Sequence, residues 1–261
     1  MQQSNRSPLK DRPLRLPGQS TAEQLEKFVD DRIHTPSLLA TLFVAIAAME
    51  WWRWYKPFPP QPVIFSIIAA VATAFAGWRF WRTRPAIRAL RLGIEGERAV
   101  GQFLESLRSR GYRVLHDVLG EGFNIDHVLI GPAGIITIET KTWSKPERGD
   151  AKIVFDGEKL LVQGHVRERD PVKQARAQAS WLRRTLAEST ARDFPVRAAV
   201  LFPGWFVERT PGVPRDVWLL EPKALPGFLA QEPEQLHPED VALASFHLSR
   251  FVRSGEQAAA R

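Results

Sequence analysis

Two carboxylates and an amine lie close together in this chain: Asp126, Glu139 and Lys141, within the segments Ile125–Ile130 and Ile135–Lys141. Both segments are β-rich, and Gly131-Pro132-Ala133-Gly134 between them reads as a four-residue hairpin loop. A symmetric loop pairs Ile130 with Ile135, Val128 with Thr137 and Asp126 with Glu139. Opposed residues of a hairpin share a face, with Cβ atoms about 4.5–5.5 Å apart. Strand alternation adds Lys141 to the face of Glu139. Like charges set opposite each other repel, and a bound divalent cation reverses that sign. The chemistry this points to is a hard, oxygen-ligated cation held beside an ammonium group. A one-residue slip of register would break the constellation. A solvated edge hairpin would also carry Asp, Glu and Lys. The flanking Ile125, Val128, Leu129, Ile130, Ile135, Ile136 and Ile138 are apolar on both faces, however, which favours a central strand pair.

The elements that must position these groups are legible in outline. Ala86–Arg110 reads as a helix, one that can continue from the apolar stretch Pro62–Trp81, with Val100, Phe103, Leu104 and Leu107 on one stripe and Gly111 as its stop. Glu97 falls on that stripe, where a carboxylate is costly unless paired, hydrated or coordinated; the bland alternative is an edge residue reaching back to water. Tyr112–Leu119 is a strand, followed by the turn Gly120-Glu121-Gly122. Lys152–Gln163 is a pair of strands around Asp156-Gly157. A helix from Asp170-Pro171 to about Glu188 buries Val172, Ala175, Ala179, Leu182 and Leu186. Gln174 and Gln178 sit off its stripe with Trp181, on what should be a solvated flank. Val196–Phe202 is a further strand and Val241–Val252 a closing helix.

The chain has no cysteine, which excludes disulfides and thiolate zinc sites, and its six histidines show no ligand-like pairing. Its net charge of +7 is concentrated early: 11 Lys+Arg against 6 Asp+Glu through Arg84, but 25 against 23 from Pro85 onward. The excess therefore speaks of a membrane more than of nucleic acid. Two apolar stretches, Pro36–Trp54 and Pro62–Trp81, each supply the roughly 20 residues that cross a bilayer. Pro36 and Pro62 stand where each helix would start. Trp51, Trp52 and Trp54 crowd one end, Trp78 and Trp81 the other, as indoles do at a membrane boundary. Basic residues flank the pair (six in residues 1–34 and six arginines in residues 79–98) while the connector holds only Arg53 and Lys56. The positive-inside rule then places both termini in the cytoplasm. A helical hairpin buried in a soluble core is the alternative. The expected order is a flexible cytoplasmic arm (1–34, with a short helix at Ala22–Ile33), a transmembrane hairpin (35–82), a catalytic domain (85–190) and a C-terminal completion (191–261).

With these residues in view, the pattern resembles the NERD (nuclease-related) domain family of the restriction-endonuclease-like, PD-(D/E)xK superfamily. The resemblance rests on Gly93-Ile94-Glu95-Gly96-Glu97-Arg98, Asn124-Ile125-Asp126-His127-Val128, Gly131-Pro132-Ala133-Gly134-Ile135, Ile138-Glu139-Thr140-Lys141-Thr142-Trp143 and Asp170-Pro171-Val172-Lys173-Gln174. It covers roughly residues 93–190. Two departures stand out: Ile125 replaces the superfamily's proline, and Asp170 the family's asparagine. The resemblance implies an α/β fold, a mixed β-sheet core flanked by helices and preceded here by the transmembrane hairpin. It implies Asp126, Glu139 and Glu97 as metal-binding carboxylates, Lys141 as the active-site lysine and Gln174 as a polar residue at the edge of the site.

The activity so implied is Mg²⁺-dependent hydrolysis of nucleic acid, DNA before RNA, with Mn²⁺ as a possible substitute, at the inner membrane of a bacterium. Lys145, Arg148, Lys152, Arg167, Arg169, Lys173 and Arg176 are candidate phosphate contacts. Two other readings use the same sequence: a non-catalytic, membrane-tethered nucleic-acid-binding or scaffold protein, and an adaptor that recruits a protein through the basic arm.

Overall fold

The helix expected at Ala86–Arg110 is the end of a far longer one. The computed structural model describes residues 14–56, 62–120, 122–145, 151–162, 165–166, 170–210 and 216–259. These form two compact units, one of Met1–Gln19 with Gly93–Arg261 and the other of Ser20–Leu92. In the second, α1 (Gln19–Val29) passes through a π-helical turn, Asp30–His34, into α2 (Thr35–Trp54). α3 then runs unbroken from Pro62 to Glu105. Pro36 stands in the first turn of α2, as its position suggests, although the chain is already helical ahead of it. The Thr35 amide reaches back to the Asp30 carbonyl, so the wider turn absorbs the crowding that proline imposes on the preceding turn. Pro62 is the first residue of α3, and the connector residues 57–61 lie outside the described residues.

Both helices are long and apolar enough to cross a membrane. Their apolar side chains are largely uncovered: Leu38, Leu42, Met49, Trp52, Val63, Ile67, Val71 and Trp81 are all exposed. A hairpin buried in a soluble core would not look like this, because core helices cover such residues. Trp51 Nε1 donates to Ser66 Oγ at 2.8 Å, tying α2 to α3.

The larger unit is built on a five-stranded mixed sheet. β1 (Arg113–Leu119), β2 (Asn124–Gly131) and β3 (Gly134–Thr140) form an antiparallel meander. A second sheet holds β4 (Lys152–Phe155), β5 (Leu160–Val162), β6 (His165–Val166) and, parallel to β4, β8 (Phe206–Arg209). α4 (Pro171–Thr190) carries the chain back so that β7 (Val196–Leu201) runs parallel to β3, and β9 (Val217–Leu220) parallel to β7. The chain closes with α5 (Leu225–Gln231) and α6 (Pro238–Ala259). The result is a mixed α/β unit with helices flanking a mixed sheet.

Helices cover both faces. Val100, Leu104 and Leu107 of α3 pack with Leu129, Ile136 and Ile138 on one side. Leu182 and Leu186 of α4, with Val241, Ala244 and Leu248 of α6, pack with Val128, Ile130 and Ile135 on the other. Every residue of β3 is buried, which explains why β2 and β3 read as near-continuous apolar runs. The meander is tight: Gly131 pairs with Gly134, leaving only Pro132 and Ala133 in the turn. The expected symmetric register, Ile130 to Ile135 and Val128 to Thr137, is the one adopted.

Helix α3 comes unusually close to the end of β3 because of a glycine. A Cβ on Gly96 would fall inside the side chain of Thr142, 2.7 Å from its Cβ. That approach sets the neighbouring Glu97 against the strand ends. Gly96→Ala should therefore destabilise the larger unit by about 1–3 kcal/mol. A thermal or urea melt of the variant that overlays the wild type would contradict this packing.

Candidate metal centre

Asp126, on β2, and Glu139, on β3, meet where the hairpin ladder ends. The last backbone pair is His127 with Ile138. One step further, where Asp126 and Glu139 would face each other, the Asp126 side chain takes over: its Oδ2 accepts the Thr140 amide at 2.7 Å. Strand phase shifts at the same place. Ile125 and Val128 share one core cluster although three residues apart, as do Leu115 and Val118 on β1. Regular alternation would send each such pair to opposite faces, so Asp126 sits at an irregularity in the sheet.

Three carboxylates are buried here: Glu139 is 3 % exposed, Asp126 6 % and Glu97, from α3, 7 %. Burial drives the Asp126 carboxyl well above the ordinary carboxylate range, and the charges of Glu139 and Glu97 push it the same way; the Thr140 amide and Lys141 oppose them. Glu139 is held on both oxygens. Lys141 Nζ donates to Oε1. Gln178 Nε2 donates to Oε2 at 2.6 Å and also to the Asn124 carbonyl at 2.9 Å. Lys141 stands one residue beyond β3, its amide fixed by the Leu201 carbonyl at 2.9 Å. Its Nζ also reaches Gln174 Oε1 at 3.4 Å, and its side chain is 26 % exposed, so the amine sits at the mouth of the site.

The structure thus gathers every expected site residue into one neighbourhood, with Gln174 at its exposed rim. It adds one the sequence reading missed. Gln178 is 1 % exposed rather than solvated. Its signal was spacing: it lies three residues after Ala175 and four before Leu182, at the edge of the buried stripe. Asp170 caps α4, its Oδ1 accepting from the Val172 and Lys173 amides at 2.9 and 3.2 Å, so the change from asparagine preserves the cap.

Two histidines pair against expectation. His116 and His127, opposite each other on β1 and β2, bring their Nδ1 atoms to 2.9 Å, and His116 Nε2 lies 3.0 Å from Glu105 Oε1. Burial lowers both, His127 to about 3, so the pair is neutral near pH 7.

The donor set fits a hard divalent cation. It is made of carboxylate oxygens, which suit Mg²⁺ or Mn²⁺ rather than zinc. Buried polar atoms also gather around it: Thr140 Oγ1, Thr142 Oγ1 and Gln178 Oε1 have no hydrogen-bond partner among the described residues. A partly hydrated ion supplies such partners through its waters. Among the described residues, no group of three or more His, Asp or Glu is placed so that it could hold a metal ion. Asp126, Glu139 and Glu97 therefore do not converge as one three-carboxylate ligand set, which the sequence led one to expect; what remains for a cation is the pair Asp126 and Glu139, with the charge of Glu97 felt at Asp126.

Of the candidate phosphate contacts, Lys152 pairs with Glu208, Arg176 with Asp216 at 2.7 Å and Lys173 with Asp170 at 4.0 Å. Those three cations are engaged at the surface. Lys145 lies beside Gly204, and Arg148, Arg167 and Arg169 lie outside the described residues.

Residues 92–203 match the family model NERD, nuclease-related domain. The match contains all six site residues, from Glu97 to Gln178. No curated protein matches the chain, and no solved structure does. The matched segment spans the end of α3, the antiparallel meander, α4 and β7, while β9, α5 and α6 complete the sheet and the core outside it.

A carboxyl whose folded-state affinity for protons is raised stabilises the metal-free fold at low pH. That contribution is lost as pH climbs from the ordinary carboxylate range, about 4, through the raised value. Asp126→Asn keeps an acceptor for the Thr140 amide and removes the charge. In melts without divalent cations, the variant should gain on the wild type as pH rises above the ordinary carboxylate range of about 4. Parallel profiles would contradict the burial argument.

Proposed function

We propose that the protein is a membrane-anchored, divalent-cation-dependent nuclease that hydrolyses phosphodiester bonds, of DNA in preference to RNA. The observation that carries this reading is the burial of Asp126, Glu139 and Glu97 together, with Lys141 bonded to one of them at the opening. Asp126 and Glu139 would hold Mg²⁺, with Glu97 contributing through water or to a second ion. When bound, the cation supplies Lewis-acid polarisation of a phosphoryl oxygen and a water of lowered pKa. The chain's own groups do the rest. Lys141, fixed at its base by the Leu201 carbonyl, presents an ammonium to the charge that builds on phosphorus and orients the attacking water. Gln178 keeps Glu139 in its rotamer, and Gln174 limits the sweep of Lys141. The match to a nuclease-related domain supports nucleic acid as the partner.

Anchoring is supported by the two long apolar helices with uncovered side chains. Residues on either side of them, Met1–Gln19 and Gly93–Arg261, belong to one compact unit. They must share one side of any bilayer crossed in between, which requires an even number of crossings. The arginines that follow the second apolar stretch favour the cytoplasmic side, the inner membrane of a bacterium.

The full chain, purified in detergent, should nick supercoiled plasmid with Mg²⁺ or Mn²⁺ and not with EDTA. Lys141→Ala should slow cutting by about 10²–10³-fold, and Asp126→Ala should abolish it. An intact chain that binds Mn²⁺ and DNA without cutting would favour the non-catalytic, tethered nucleic-acid-binding role instead.

A further inference from the structure

The chain ahead of the apolar helices does not merely lead into them. Arg15, 8 % exposed, donates from Nε to Asp117 Oδ2 at 2.5 Å. Asp117, on β1, is 1 % exposed and holds a left-handed backbone with φ of 51°. Its register position, flanked by the pairs His116–His127 and Val118–Ile125, is the one across from Asp126. Non-glycine residues adopt such a conformation at a cost, and buried examples concentrate where surrounding contacts hold them for a purpose. Two residues on, Pro17 packs so closely over α3 that a Cβ on Gly101 would lie 2.6 Å from its Cγ. A Cβ on Gly18 would lie 3.3 Å from Glu97 Oε2.

From Arg15 the contacts run on without a gap. Asn124 Nδ2 donates to Asp117 Oδ1 at 3.1 Å. The carbonyl of the same Asn124 accepts from Gln178 Nε2, which also holds Glu139, and Glu139 in turn accepts from Lys141. We infer that Leu14–Gly18 is a built-in part of the metal centre, with Arg15 as a positioning residue that acts through Asp117, Asn124 and Gln178 on Glu139. The inference rests on the metal-site reading given above. Its electrostatic logic is simple: Asp117 would be a fourth buried carboxylate beside three others, and the Arg15 guanidinium compensates it. The role of Asp117 is then to fix the start of β2, from which Asp126 projects, rather than to compete for the ion. A nuclease domain cut away from this segment would lose part of its own site.

Two measurements on the full chain in detergent test this. Calorimetric titration with Mn²⁺ should show binding weakened by about 10–100-fold in Arg15→Ala, the usual effect of removing a partner that orients a metal ligand. Arg15→Lys should recover part of the loss. Asp117→Asn, which tolerates the left-handed backbone, should weaken binding as well, and circular dichroism confirms that each variant is folded. Because the chain lacks cysteine, Pro17→Cys with Gly101→Cys can report docking directly. Oxidation should join the tryptic peptides 16–27 and 99–108 in mass spectrometry. Wild-type binding that Arg15→Ala leaves unchanged overturns the positioning role while sparing the metal site. Failure of the wild type to bind Mn²⁺ overturns the metal site and the positioning role with it. Absence of the crosslink overturns the docked segment whatever the metal result.

Discussion

Three buried acidic groups at one end of a sheet are an electrostatic burden that the rest of the larger unit is arranged to hold. Taking even one ionised carboxylate from water into a protein interior is expensive unless it is paired, protonated or coordinated. Here Glu139 is bonded on both oxygens, Asp126 is driven towards its protonated form, and Glu97 sits behind them on a helix held close by Gly96. Without a cation the centre leans on Lys141 and on the raised proton affinity of Asp126. On the proposed reading a bound cation would turn the mutual repulsion into shared attraction, so that the strain of the metal-free state would favour binding.

The supporting elements are ordered around that need. The antiparallel meander brings β2 and β3 together with a two-residue turn, and the ladder stops one step before the carboxylates, where the Asp126 side chain rather than its backbone bonds β3 through the Thr140 amide. α4 reaches the site with Gln178 and its rim with Gln174, while its apolar stripe packs on Val200 and Phe202 beneath. The segment before the apolar helices approaches from the other flank through Arg15 and Asp117. The core clusters on either face leave this end of the sheet as the place where buried polar atoms converge.

Much of this was legible in the residues. The hairpin register follows from the glycines at its turn and the matched apolar runs, and Lys141 follows from its offset to Glu139. Period alone could not show that Asp126 stands at a phase shift, because that depends on the left-handed Asp117 on the neighbouring strand. Gln178 was misjudged as solvated because helical periodicity places it just off the stripe, whereas α4 packs two sheets and so buries a wider arc. The His116–His127 pair needed the β1–β2 register, which no short-range turn rule supplies. Pro36 does mark the first turn of α2; what it could not show is the π-helical turn Asp30–His34 that joins α2 to the helix before it. The docking of Arg15 on Asp117, across 102 residues of chain, was invisible to any local rule; residues 1–34 read as a flexible arm because only their composition spoke.

The most direct test of the central claim is crystallographic. Crystals of the full chain grown with Mn²⁺ should give an anomalous peak within about 2.0–2.3 Å of one oxygen of Asp126 and one of Glu139, with waters completing an octahedron. Asp126 and Glu139 closed on each other with no ion between them at millimolar Mn²⁺, or a peak elsewhere in the molecule, would contradict it.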